Sequence, residues 1–239
     1  MPAAATPRQG LGVPPPDVND ATDEGDDALR AADGRVPGRR GRATRQRLLE
    51  CTGEMLRSTS YRDVKVIDIA REAGTSPATF YQYFADVEGA ILVLAEEMAR
   101  RGAHLRQVIA EGSWEGADAA VTALQLVDGF LDFWDENRAV LRVVDLATDE
   151  GDGRFQKIRV GLLNDITKGL ADVIRDAQQT GRSPRGIDPM ATAGVLVSML
   201  AHVAAHQYGF EFWGIRTADV RASMSRQVAW GVTGVVPPE

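Results

Sequence analysis

The chain has 239 residues, 44% hydrophobic and 26% charged, which suits one long soluble domain or two small ones with ample core material. Its single cysteine, Cys51, excludes an internal disulfide and a cysteine-rich zinc site, so a reducing compartment is expected. The net charge of −7 is unevenly laid out: residues 1–34 carry seven acids against two arginines, whereas residues 35–86 carry ten basic residues against six acids.

A uniformly acidic protein would repel nucleic acid, but a phosphate backbone responds to local charge, and residues 35–86 are locally basic. Residues 1–37 are rich in Pro, Gly, Ala and Asp and lack a periodic apolar pattern, so a disordered acidic tail is expected there. The opening "MPAAATPRQG" has no long apolar segment, and no secretory leader is expected.

Next comes "RVPGRRGRATRQR", six arginines without an acid. Its first part, with Arg39, Arg40 and Arg42, reads either as an arm that reaches DNA or as a solvated linker. From Thr44 the apolar residues Leu48, Leu49, Met55 and Leu56 recur at helical spacing, predicting an amphipathic helix that ends near Ser58. A short helix is predicted over residues 66–73, followed by Gly74, which suits the left-handed conformation past a helix end. Ser76 as N-cap and Pro77 as first helical residue start a third helix, ending near Phe84. A fourth is predicted from Asp86 through about residue 112, and further helices near 117–136, 138–149, 154–180, 188–210 and 217–233. No useful alternating strand pattern is present, so the fold class is all-α.

Two short helices around a glycine-containing turn make the skeleton of a helix-turn-helix. Phe80 and Phe84 are expected to anchor the third helix, while Tyr81 and Tyr83 each offer a ring and a phenolic donor suited to a phosphate oxygen. "VIDIAREAGTSPATFYQYFADVEGAI", residues 66–91, resembles the DNA-binding signature of the tetracycline-repressor (TetR) family of transcriptional regulators. The resemblance covers residues 42–94 and implies that Thr75 and Ser76 open the recognition helix. Pro77, Ala78 and Thr79 would then face the major groove, with Tyr81, Gln82 and Tyr83 touching phosphates or base edges. Two positions depart from the family pattern: Val87 stands where a phosphate-gripping lysine is usual, and Lys65 replaces the threonine that often opens the second helix. Lys65 is a candidate to supply the lost charge.

Composition and the resemblance together predict a tail (1–37), a helix-turn-helix domain with basic arm (38–86) and a larger helical effector-binding and dimerisation domain (87–239). The resemblance implies a cytoplasmic homodimeric repressor, released from double-stranded operator DNA by a small effector. Phe130, Phe133, Trp134, Met199, His202, His206, Tyr208, Phe212 and Trp213 would surround an apolar ligand; without the resemblance, aromatic and Met side chains such as these read more often as core. Small residues Gly194, Ser198, Ala201 and Ala205 form one stripe and Val220, Met224, Val228 and Gly231 a second seam. Both would meet their copies in a four-helix dimer interface, or else pack within one subunit.

His202 and His206 sit four residues apart, a spacing that can serve a metal, but no Glu follows the first as a zinc protease requires. No phosphate loop, nucleophile elbow or calcium-loop spacing is present, so no cofactor, metal or enzymatic activity is expected. Residues 190–210 contain no Asp, Glu, Lys or Arg, yet their polar residues point to a buried or interface helix rather than a membrane span. The rival readings are an effector-independent DNA-binding activator or architectural factor, and a helical metalloenzyme built on His202 and His206.

Overall fold

The computed structural model describes residues 38–234; the expected tail lies outside them. Among the described residues there are α-helices and 3-10 turns and no strands, so the protein is all-α. Helix α1 spans Arg39–Ser58, α2 Val66–Glu72, α3 Pro77–Tyr83, α4 Val87–Arg101 and α5 Ala103–Glu111. Helix α6 runs over Asp118–Asp149, α7 over Gly153–Gln179, α8 over Pro189–His206 and α9 over Thr217–Thr233.

Helix α1 starts five residues before the apolar pattern does. Gly38 precedes it, and Arg39, Arg40 and Arg42 occupy its exposed opening turns. They therefore do not form an extended arm: arginine is a good helix former, and no proline interrupts the run after Pro37. The expected fourth helix is two. Gly102 separates α4 from α5, and a β-carbon there would lie 2.6 Å from Leu162 Cδ1 and 3.3 Å from the Phe133 ring. Close approach of α6 and α7 at that point demands a glycine and turns the chain.

The reverse holds at residue 137, where the sequence predicts a break between two helices and one continuous α6 is found. Asn137 stays helical because its Nδ2 donates to Phe133 O at 2.8 Å while its Oδ1 accepts from Arg101 Nη2 at 3.1 Å. After His206 the chain tightens into a 3-10 turn, Gln207–Trp213, rather than continuing as α-helix.

Two apolar clusters hold the molecule. One lies in the C-terminal helices around Phe130, Leu170, Leu200 and Val228. The other gathers Leu48, Leu49, Ile69, Phe80, Phe84 and Ile91. This second core is completed by Val143, Val144 and Ala147 at the end of α6 and Phe155 at the start of α7. The helix-turn-helix thus sits on the far end of α6 as well as on α4. Tyr61 and Arg62 reinforce that seat: Tyr61 Oη donates to Glu150 Oε2 at 3.2 Å, and Arg62 pairs with the same carboxylate.

Candidate DNA-binding helix and effector domain

Helix α2 ends in a Schellman arrangement, with Gly74 at φ +69°, Thr75 N–H donating to Ala70 O at 2.8 Å and Gly74 N–H to Arg71 O at 3.1 Å. Ser76 then caps α3, its Oγ accepting from Thr79 N at 3.2 Å. One residue, Thr75, separates the two motifs, so the crossing of α2 and α3 is fixed locally. Asp86 caps α4 in the same way, accepting from Gly89 N at 2.7 Å.

Phe80 and Phe84 are buried, their rings 5.4 Å apart, and Phe80 meets Tyr81 edge-on at 5.8 Å. Arg45 lies buried with its guanidinium 5.3 Å from the Phe84 ring centroid. Burial lowers its pKa, and Glu97 and Glu96 oppose that shift. Facing outward from α3 and its approach are Ser76, Pro77, Ala78 and Gln82, with Thr75 and Thr79 half-buried. Tyr81 is 53% exposed, whereas Tyr83 is half-buried against the N-terminal core. Lys65 is exposed just ahead of α2. Val87, standing where the family pattern has a lysine, is a core residue.

The exposed face of α3 therefore carries hydroxyls, an amide and a phenol, with Lys65 and the α1 arginines among its basic neighbours in sequence. Residues 48–89 match the family profile described as bacterial regulatory proteins, tetR family, and residues 105–239 match that of a tetracyclin repressor-like C-terminal domain. The second match alone spans more than half the chain. The chain belongs to the TetR family. It is a DNA-binding transcriptional regulator with a helix-turn-helix, in a family of regulators rather than enzymes.

Solved TetR-like structures share this fold. Bacillus subtilis FadR, a transcriptional regulator in complex with stearoyl-CoA, superposes with a TM-score of 0.58 at 17% identity, covering 80% of this chain and 98% of FadR. SmeT, the repressor of the Stenotrophomonas maltophilia multidrug efflux pump SmeDEF, gives 0.59 at 15% identity over 83% of this chain and 98% of its own. Thermus thermophilus FadR, a TetR-family repressor in complex with lauroyl-CoA, gives 0.51 at 16% identity over 82% and 96%. Identities this low speak to the fold alone.

In the C-terminal domain of this TetR-family chain, the expected ligand set separates into two groups. Phe130, Phe133 and Trp134 are buried together on α6, with Phe130 and Trp134 stacked at 5.6 Å, and Met199 packs half-buried against the same core. The indole Nε1 of Trp134 is buried without a hydrogen-bond partner among the described residues. His202, His206, Tyr208, Phe212 and Trp213 instead lie on the outside, with Phe212 93% and Trp213 74% exposed. Helix α8 buries Ala193, Leu196, Val197, Leu200 and Ala204, which turns residues 202 and 206 away from the core. The 3-10 turn then changes the side-chain period, so helical extrapolation misplaces residues 208–213. Tyr208 donates to Asp135, and Arg138 lies 4.6 Å from its ring centroid.

The proposed interface seams also need correction. Val220, Met224 and Val228 are buried within the subunit, and Gly231 faces Leu196 so closely that a β-carbon would lie 2.9 Å from it. This seam joins α9 to its own neighbours. Ala201 is likewise buried and Ala205 half-buried, while Ser198 is exposed and Gly194 borders open space. The outward surface of α8 and α9 includes instead Val195, Ser198, His202, Ser223 and Trp230. By length and composition the stretch Pro189–Trp213 is apolar enough to cross a membrane, and only 33% of its apolar window is buried. The sequence signal for these outward residues is the absence of charge itself, since periodicity alone does not tell an inward face from one awaiting a partner.

Proposed function

We propose that the protein is a cytoplasmic homodimeric repressor whose α3 enters the major groove of operator DNA, and that a small, largely apolar effector releases it. The observation that carries this is a short helix pinned by Phe80 and Phe84 that leaves its polar residues outward. Thr75, Ser76, Pro77, Ala78 and Thr79 read or approach base edges, and Tyr81 and Gln82 contact phosphates or bases, with Tyr83 in a smaller share. Arg39, Arg40 and Arg42 contact phosphates from the first turns of α1, and Lys65 does so from the start of α2.

Helix-turn-helix proteins read paired half-sites one turn of DNA or a multiple apart, roughly 34 Å for one turn, which calls for a two-fold partner. A second copy covering Val195, Ser198, Phe212, Trp213 and Trp230 answers the large apolar exposure on α8, the 3-10 turn after it and α9. Trp134, Phe130, Phe133 and Met199 are the residues for the effector, with the Trp134 N–H offering one hydrogen bond to an acceptor oxygen. Two FadR neighbours of the same fold were solved with stearoyl-CoA and lauroyl-CoA, so a fatty-acyl class is the first one to test.

An effector dissociates the complex only by favouring the released form. A hundredfold loss of operator affinity corresponds to a preference of about 2.7 kcal/mol. Fluorescence anisotropy on a duplex recovered by selection, titrated with stearoyl-CoA or lauroyl-CoA, tests this. Release is expected with wild type and lost with Trp134→Phe. Unchanged binding across a panel of acyl-CoA and other apolar ligands would support an effector-independent regulator.

A further inference from the structure

We propose that His202 and His206 form half of a divalent-metal site, completed by the same pair on a second copy of this chain, and that zinc strengthens the pairing. The inference rests on the homodimer reading above. The two imidazoles lie one turn apart on α8, both exposed, with ring centroids 4.5 Å apart and planes inclined at 57°. Neither has a hydrogen-bond or ion-pair partner among the described residues, whereas the third histidine, His104, engages Arg101 O through Nδ1 at 2.9 Å. The Asp135 carboxylate is engaged by Tyr208, two residues past His206.

Zinc takes four ligands in a tetrahedron at nitrogen distances near 2.0–2.1 Å, and two imidazoles at i and i+4 can share one ion. Two positions remain. No group of three or more His, Cys, Asp or Glu suited to a metal occurs among the described residues, so the subunit does not close the site itself. Val195, Ser198, His202 and His206 follow one another at steps of three, four and four along the outward face of α8. A two-fold axis passing beside residues 202–206 would bring the same patch of both subunits together there, and with it a second pair of imidazole nitrogens. Cys51, the only thiol, is buried in the N-terminal core and does not compete.

The test uses full-length protein without a polyhistidine tag, stripped by chelator, in zinc titration calorimetry and sedimentation over a dilution series. One zinc per two chains is expected, and zinc at a hundred times its Kd should tighten dimerisation about a hundredfold if the metal binds only the dimer. His202→Gln and His206→Gln should each remove stoichiometric uptake and the zinc-dependent gain, whatever their metal-free dimerisation constant. A dimer that takes up no zinc, takes one per chain, or keeps its response in the double variant overturns the site alone. A chain that stays monomeric with and without zinc overturns both the site and the pairing.

Discussion

At the scale of single residues, the division of the aromatic cluster 80–84 is decided by burial. Phe80 is fully enclosed among α1, α2 and α4 residues, and Phe80→Ala should cost about 3–5 kcal/mol by lost transfer energy and cavity formation. Urea unfolding checks this, and a cost below ~1 kcal/mol would contradict the anchor role. Ser76 acts differently. Its hydroxyl satisfies one backbone N–H, so Ser76→Ala should cost about 1 kcal/mol and loosen the start of α3. Thr79→Ala keeps the backbone bond of that cap while removing the Thr79 Oγ1 contact to Ser76 Oγ at 3.0 Å, and should alter base preference. Equal selectivity of wild type and Thr79→Ala in competition binding would remove Thr79 from the groove.

At the scale of elements, α2, the turn and α3 are legible in the sequence because local groups decide them: Gly74, Ser76, Pro77 and Asp86 each act within a few residues. The Gly102 break and the continuity of α6 are not. Each depends on a tertiary neighbour, Leu162 and Phe133 in one case and Arg101 in the other. The facing of α8 and α9 escapes for a related reason: a seam of Val, Met and small residues packs equally well on a subunit's own helices or on a copy. The helical start of α1 also changes what the arginines can do. Fixed at 1.5 Å rise per residue, Arg39, Arg40 and Arg42 would meet phosphates as a turn of helix rather than thread a groove. Replacing all three with Ala should flatten the slope of log affinity against log salt by about 0.9 for each phosphate no longer neutralised. An unchanged slope would place them off the DNA.

At the scale of the whole molecule, the helix-turn-helix answers to two supports. Helix α4 connects it covalently to the C-terminal domain, and the α6–α7 corner completes its core through Val143, Val144, Ala147 and Phe155. Glu150 binds Tyr61 and Arg62 at that corner, just past the end of the long helix that carries Phe130 and Trp134 toward its middle. A ligand that shifted α6 would therefore move the seat of α2 and α3 directly. Glu150→Gln weakens an exposed contact worth at most about 1 kcal/mol, so melting should barely change. The operator affinity ratio with and without effector should change, and an unaltered ratio would leave α4 as the transmitting element.

The functional expectations depend on α3 reading DNA from a two-fold assembly. The most direct measurement is selection of bound sequences from random duplex DNA by the purified full-length protein at a fixed, stated salt concentration. Enrichment of an inverted repeat, with half-sites one helical turn of DNA or a multiple apart, is the predicted result. Recovery of no common sequence, or of a single unpaired half-site, would contradict it.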